Sequence, residues 1–234
     1  MGHPLPRQTS SADCGTEDTV ALEGPTLRKP PARHDSPPGR LPSAAPPTDL
    51  LDGVARWRQA DTAAGLFRLR PVRLEADLPL LHGWMNDAAV AAFWELAGPA
   101  SRTEAHVAAQ LEGDGRSVPC LGLLDGVPMS YWELYRADLD PLARYCRVLP
   151  HDTGVHLLIG GARDRGRGLG TTLLGAVARL VLEHRPRCAR VLAEPDVHNH
   201  PSVAAFLAAG FRYCEEVALP AKRAALMVRD RAAP

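Results

Sequence analysis

The stretch Gly154-Val-His-Leu-Leu-Ile-Gly-Gly-Ala-Arg-Asp-Arg-Gly-Arg-Gly-Leu-Gly-Thr-Thr-Leu-Leu174 decides how this chain folds. Its apolar opening, Val155 to Ile159, has the length and composition of a buried strand. A polar, glycine-rich turn runs from Gly160 to Gly170. Leu169, Leu173, Leu174, Val177, Leu180 and Val181 then recur at spacings of three and four, which is one face of a helix. Strand, glycine turn and helix together make an anion site. The first helical N–H groups have no partner within the helix, and the dipole there favours negative charge. Gly166, Gly168 and Gly170 let the backbone approach a phosphate with no Cβ in the way. Arg165 and Arg167 add cationic donors suited to phosphate oxygens. Two familiar phosphate loops are excluded by spacing. A Walker loop needs a lysine between Gly170 and Thr171, and a dinucleotide loop needs glycine where Thr171 stands.

The rest of the chain divides by composition. Residues 1–50 hold 10 of the 22 prolines and no aromatic residue, and their apolar residues show no sustained period. Such a segment buries too little apolar surface to offset its ordering entropy, so residues 1–49 are expected to be a disordered Pro-rich tail. The folded domain is expected over 50–234. The tail has no apolar core after its first basic residue, so a secretory signal is not expected. No apolar run reaches the ~18 residues that span a bilayer. Lysine plus arginine and aspartate plus glutamate both number 27, which argues against a nucleic-acid binder with a broad basic face. The five cysteines, Cys14, Cys120, Cys146, Cys188 and Cys214, are scattered and odd in number. They read as reduced thiols of a cytoplasmic protein.

Taken in order, Phe67, Leu69 and Val72 alternate with arginines as a first strand. Asp77 is a plausible N-cap for a helix carrying Leu78, Leu81, Trp84 and Met85 on one face. A short helix over Ala88 to Glu95 and another over Thr103 to Leu111 follow. Ser117 to Leu124 and Val127 to Tyr135 read as a hairpin around Asp125-Gly126. Residues 138–152 lack a period and read as a long loop of the kind that serves as a lid. After the central strand–turn–helix come a strand at Ala189–Ala193, a helix at Ser202–Ala209 ended by Gly210, and two last strands. The pattern predicts an α/β (α+β mixed) domain: a mixed twisted sheet of six to seven strands with helices on both faces.

Arg165-Gly-Arg-Gly-Leu-Gly170 matches R/Q-x-x-G-x-G/A, and so resembles the pyrophosphate loop of the GNAT acyl-CoA N-acyltransferases. Asn199, Ser202, Phe206, Leu207, Gly210 and Phe211 are similar to that fold's second signature. Within the superfamily, Leu81-His-Gly-Trp-Met-Asn86, Ala91-Ala-Phe-Trp-Glu95, Met129-Ser-Tyr-Trp-Glu-Leu-Tyr135, His151-Asp-Thr-Gly-Val-His-Leu-Leu-Ile-Gly-Gly161 and Glu194-Pro-Asp-Val-His-Asn199 resemble the hydroxamate-siderophore acyltransferases. These are the aerobactin, alcaligin, desferrioxamine and mycobactin type, with the desferrioxamine enzymes acting on N-hydroxycadaverine looking closest.

The resemblance implies an acyl-CoA co-substrate, acetyl-CoA or succinyl-CoA, and no metal. It implies a small hydroxylated amine as acceptor, N-hydroxycadaverine or N-hydroxylysine, and a hydroxamate as product. No nucleic acid or membrane partner is implied; transient contact with a siderophore hydroxylase or synthetase is compatible with it. The family's catalytic pair falls on His156 and Asp196. The residues support that choice, since a histidine in an aliphatic strand needs a partner, and a carboxylate can fix its tautomer and raise its basicity. Leu158, Ile159, Arg165, Gly166, Arg167, Gly168, Leu169, Gly170, Thr171, Asn199 and Phe206 are implied to hold CoA. Many members have an aromatic hydroxyl at the place of Phe206 to protonate the thiolate, and that role is vacant here. Trp84, Trp94 and Tyr131 either wall the acceptor channel or pack the core. Glu133 either binds the acceptor's distal ammonium or pairs with an arginine. Two rivals stand beside this reading: an aminoglycoside-type N-acetyltransferase, and a non-catalytic CoA-binding module.

Overall fold

The computed structural model describes residues 51–232, so the tail expected over 1–49 lies outside the described residues. A 3-10 turn, Leu51–Arg56, leads into β1 (Ala60–Thr62) and β2 (Gly65–Pro71). Three helices follow, α1 (Leu74–Met85), α2 (Ala88–Trp94) and α3 (Ala100–Leu111). Then come β3 (Ser117–Leu124), β4 (Val127–Arg136) and β5 (Thr153–Ile159). The remainder alternates as α4 (Leu169–His184), β6 (Arg190–Ala193), α5 (His200–Ala208), β7 (Arg212–Ala218) and β8 (Arg223–Asp230). The eight strands form one sheet in the order β1-β2-β3-β4-β5-β6-β8-β7. That is one or two strands more than expected. The strand missed was β1, whose three residues are too few to show a period of two. Among the described residues, no helix is long and apolar enough to cross a membrane.

Helices cover both faces. α4 turns Leu173, Leu174, Val177, Leu180 and Val181 onto one face, against Phe67, Leu69, Trp132 and Val155. Each such side chain stabilises the fold by about 1.5–3 kcal/mol. α1 turns Leu81, Trp84 and Met85 onto the other face, against Leu121, Tyr131 and Leu158. The expected cap Asp77 lies inside α1 instead of before it. The helix begins at Leu74, and Asp77 accepts from the Arg73 N–H at 2.7 Å and from Arg70 Nη1 and Nη2 at 2.9 and 2.8 Å. An aspartate reaching back to the N-cap N–H stabilises a helix start much as a cap does, so the signal marked the right turn and the wrong residue.

The site owes its place to one irregularity in the sheet. Among the described residues β5 and β6 are its only parallel neighbours, and they pair only at Thr153↔Val191 and Gly154↔Leu192. Past Gly154 the strands part, while β5 stays bonded to β4 as far as Ser130↔Ile159. The opened edge of β5, from Val155 onward, faces a cleft at the strand ends. The expected loop at 138–152 is not shapeless: Ala137–Leu139 and Pro141–Arg144 are 3-10 turns, with Ala137 and Leu142 buried.

Candidate active site

Two cavities meet along the opened edge of β5. The larger, about 430 Å³, runs over Leu157, Leu158, Ile159, Arg165, Gly166 and the first turn of α4. The smaller, about 240 Å³, is walled by Trp94, Glu133, His156, Glu194, Asp196 and Lys222. Phe93, Trp94, Leu157, Asn199 and Ser202 line both, so the two spaces adjoin beside His156.

The larger cavity has the features of a pyrophosphate groove. Gly166 and Gly168 have φ of +70° and +77°, and a Cβ on either would meet nothing within 4 Å. They are needed for their left-handed backbone, which turns the chain so that α4 points its free N–H groups into the groove. The first α4 N–H to find a helical acceptor is that of Thr172, bonded to Gly168 O at 3.1 Å, so Leu169, Gly170 and Thr171 remain open to an anion. The two arginines behave differently. Arg165 gives Nη1 to Asp87 Oδ1 at 2.8 Å and Nη2 to Asp87 Oδ2 at 2.5 Å, which holds Asp87 down to about 2. Asp87 also caps α2, accepting from the Ala89 N–H at 3.0 Å. Arg165 therefore ties the glycine turn to α2 while lining the groove. Arg167 is exposed and lies outside the groove lining.

His156 stands directly across the β4–β5 ladder from Glu133. Its Nδ1 bonds Glu133 Oε2 at 2.9 Å, and its Nε2 makes a short hydrogen bond to Glu194 Oε1. Both carboxylates are 6% exposed. The remaining oxygen of Glu133 accepts from His106 Nε2, Gln110 Nε2 and Tyr131 Oη at 2.5, 2.7 and 2.9 Å. The remaining oxygen of Glu194 accepts from Tyr135 Oη at 2.6 Å. Burial opposes a charged ring, but the charge of Glu194 and the hydrogen bonds the ring donates to both carboxylates raise His156 to about 10. Burial likewise pushes Glu194 up, and the imidazolium charge outweighs it and lowers Glu194 to about 2. Glu133 is lowered too, against burial, by its bonds from His106 and His156. The row sets the ring between two carboxylates that both favour its protonated form.

The expected partner of His156 was Asp196, and the structure brings Glu194 there instead. Asp196 accepts from the His198 N–H at 2.7 Å and bonds His198 Nδ1 at 2.9 Å, and it lines the smaller cavity. Glu194 lies directly after β6, within reach of the strand-borne ring, whereas Asp196 lies beyond Pro195 where the chain has bridged to β8 at Ala224. Among the described residues Glu133 pairs with no arginine; its oxygens are taken by the side chains just named. Trp94 lines both cavities, while Trp84 and Tyr131 are buried in the core with Leu121 and Leu158. Asn199 caps α5, accepting from the Ser202 N–H at 3.2 Å, and Phe206 is buried against Phe211 beside the smaller cavity. Glu194, Tyr135, His106, Gln110 and Lys222 were not singled out from sequence. A glutamate inside an apolar strand was the available signal for a buried polar row.

A raised His156 contributes stability that is complete below its ordinary value of 6.5 and is lost as pH climbs toward 10. The lowered glutamates contribute stability present above their ordinary 4.5 and lost as pH falls through the folded values. The gap in Tm between wild type and His156→Gln is thus expected to be widest near pH 4.5–6.5 and to narrow toward pH 10. Thermal melts across that range check it; a gap that does not change with pH would show a ring that is not held protonated.

The Acetyltransferase (GNAT) domain family matches residues 73–219. Lysine N-acyltransferase MbtK of Mycolicibacterium paratuberculosis is 36% identical over 185 residues, 78% of this chain and 83% of its own. N(6)-hydroxylysine O-acetyltransferase of Escherichia coli is 33% identical, covering 63% of this chain and 47% of its own. Among solved structures, an uncharacterized protein from Bacillus halodurans superposes with a TM-score of 0.71 at 32% identity, over 76% of this chain and 92% of its own. AAC(6')-Ib, solved with acetyl-CoA, gives a TM-score of 0.62 at 24% identity over 70% of this chain and 93% of its own, a likeness of fold alone. With the glycine turn, the parted strands and the family match all in one domain, the chain belongs to the GNAT acetyltransferases and is an acyl-CoA-dependent N-acyltransferase.

Proposed function

We propose that the protein moves an acyl group from acyl-CoA to the hydroxylated terminal nitrogen of a lysine-type amine, N6-hydroxylysine or N-hydroxycadaverine, and so makes a hydroxamate for an iron chelator. The observation that carries this is His156 bonded at both nitrogens to buried carboxylates, an arrangement that favours the protonated ring. An unmodified lysine or diamine arrives as an ammonium, with a pKa of about 10.4, and must lose a proton before it can attack. A ring that already holds its proton cannot take that one. The N-hydroxyl group withdraws electron density, so a hydroxylamine nitrogen is neutral at the same pH. The only proton left to remove is the one made acidic as the C–N bond forms, and a carboxylate suffices for it.

Glu194 fills that role, at the end of β6 beside the junction of the cavities. The nitrogen lone pair forms the C–N bond, its proton passes to Glu194, and the C–S bond breaks with its electron pair leaving on sulfur. His156 and Glu133 hold Glu194 in place. The N–H groups at 169–171 hold the pyrophosphate, and the free edge of β5 near Leu158 offers a backbone donor to the acyl oxygen. The relatives named for lysine and hydroxylysine support the same acceptor class. A hydroxylase must supply such an acceptor and a synthetase must use the product; transient contact with either belongs to this reading. The deciding experiment offers acetyl-CoA and succinyl-CoA with both hydroxylated acceptors and their unhydroxylated parents, with products identified by mass. Hydroxamates are expected with at least a tenfold preference. Equal or better turnover of plain lysine and cadaverine would refute the proposal.

A further inference from the structure

We propose that Lys222 is a specificity-determining residue that receives a carboxylate carried into the smaller cavity by one of the two substrates. The inference rests on the acyl-transfer reading above and sharpens it.

The chain has two lysines, Lys29 and Lys222, against 25 arginines, so Lys222 is the only lysine among the described residues. It stands in the turn between β7 and β8 and lines the smaller cavity with His156, Glu194 and Asp196. Its backbone is fixed from both sides. Lys222 and Leu219 exchange N–H to O bonds of 2.9 and 3.3 Å. The adjoining strand is sewn to the segment after β6, Val197 N–H to Arg223 O at 3.0 Å and Ala225 N–H to Pro195 O at 2.9 Å. The side chain is thus delivered to the cavity by a rigid hairpin rather than by a loose loop.

Its ammonium makes no hydrogen bond or ion pair among the described residues, although its charge reaches both Glu194 and Asp196 and helps lower them. The other ionic groups around it have hydrogen-bonded partners: His156 with its two glutamates, Asp196 with His198. Lys222 is the cavity's uncommitted cation, and a flexible ammonium suits a carboxylate whose position varies as substrates bind and leave.

Two sources could supply that carboxylate. One is the α-carboxylate of a hydroxylated amino acid, which a diamine of the same length lacks. The other is the terminal carboxylate of a succinyl group, which acetyl lacks. The test measures kcat/KM for the four pairings of N6-hydroxylysine or N-hydroxycadaverine with acetyl-CoA or succinyl-CoA, in wild type, Lys222→Met and Lys222→Arg. Lys222→Met is expected to lose roughly 10- to 100-fold on pairings that hold the carboxylate it reads, the scale of a hydrogen bond to a charged group. N-hydroxycadaverine with acetyl-CoA, which holds none, should lose at least about fivefold less than those pairings, any change there reporting the Lys222 charge on Glu194, and Lys222→Arg should recover most of the loss. Loss confined to hydroxylysine names the acceptor, and loss confined to succinyl-CoA names the donor. A loss shared equally by the carboxylate-free pair, or no loss on any pair, overturns the inference. Should wild type turn over none of the pairs, the acyl-acceptor reading fails. Lys222 is then judged by calorimetric titration of the same acceptors and acyl-CoAs, where Lys222→Met must weaken a carboxylate-bearing member and spare its counterpart.

Discussion

Glu194→Gln is expected to lower kcat for a hydroxylamine acceptor by roughly 10²- to 10⁴-fold, the usual contribution of a positioned proton acceptor, with KM for acyl-CoA nearly unchanged. The substitution keeps the size of the side chain and an oxygen for Tyr135, whose hydroxyl burial and the Glu194 charge hold protonated. What it removes is the negative oxygen beside the junction of the cavities. It also removes the charge that does most to keep the proton on His156. In the variant the ring holds its proton less tightly, and once that proton is lost its Nε2 turns from donor to acceptor, facing the new amide. The outcome therefore separates two mechanisms. If His156 itself takes the substrate proton, loosening its hold on its own proton leaves kcat within about threefold of wild type or raises it, and the assignment to Glu194 falls. Single-turnover kinetics across pH makes the comparison. An acceptor carboxylate in wild type gives an acid limb set by the lowered Glu194, whereas a histidine base in the variant moves that limb toward neutrality.

Gly154→Ala is the substitution expected to cost most stability, about 3 kcal/mol or more. Gly154 lies opposite Tyr135 in the β4–β5 register, and a Cβ there would fall inside the Tyr135 ring. The ring cannot retreat: it is buried, tilts against the His156 imidazole at 4.9 Å between centroids, and donates its hydroxyl to Glu194. Forced overpacking costs about 1–3 kcal/mol, and displacing the ring leaves a buried oxygen of Glu194 unmatched, about 1–3 kcal/mol more. For a domain of this size the loss corresponds to roughly 6–12 °C in Tm. Gly166→Ala is the control. It meets open space, and its cost is confined to the left-handed φ, about 1 kcal/mol. Urea unfolding of both variants reads the difference; equal costs would mean that Tyr135 is not wedged over Gly154. Activity of any Gly154→Ala that folds should fall as well, since Tyr135 is one of the two side chains bonded to Glu194.

The elements that came directly from the amino-acid order are those set by short-range physics. Asp125 and Gly126, at φ of +49° and +82°, bound the β3–β4 hairpin as their residue types require. The glycines before Leu169 located the start of α4, and Gly210, at φ +84°, the end of α5. β1 escaped because three residues carry no period, and Asp77 misplaced one boundary because a carboxylate in the first turn imitates a cap. In the site, His156 was visible as the lone polar residue of an aliphatic strand, and the anion turn was visible as glycines before a helix. Arg165 was visible as a phosphate cation but is bonded to Asp87, a residue 78 positions away. Nothing local distinguishes an arginine aimed at a ligand from one aimed at another helix.

By itself, then, the sequence determined the strand–turn–helix, the layered sheet and the need of His156 for a partner, because periodicity, backbone φ and the cost of burying a polar group act within a few residues. Only the tertiary structure decided which carboxylates that partner would be. Glu133 meets His156 through the register of β4 on β5, Glu194 meets it where β6 diverges from β5, and Asp196 is drawn away by the chain's bridge to β8. Register and divergence are properties of the whole sheet, and it is they that clamp the His156 ring between two carboxylates.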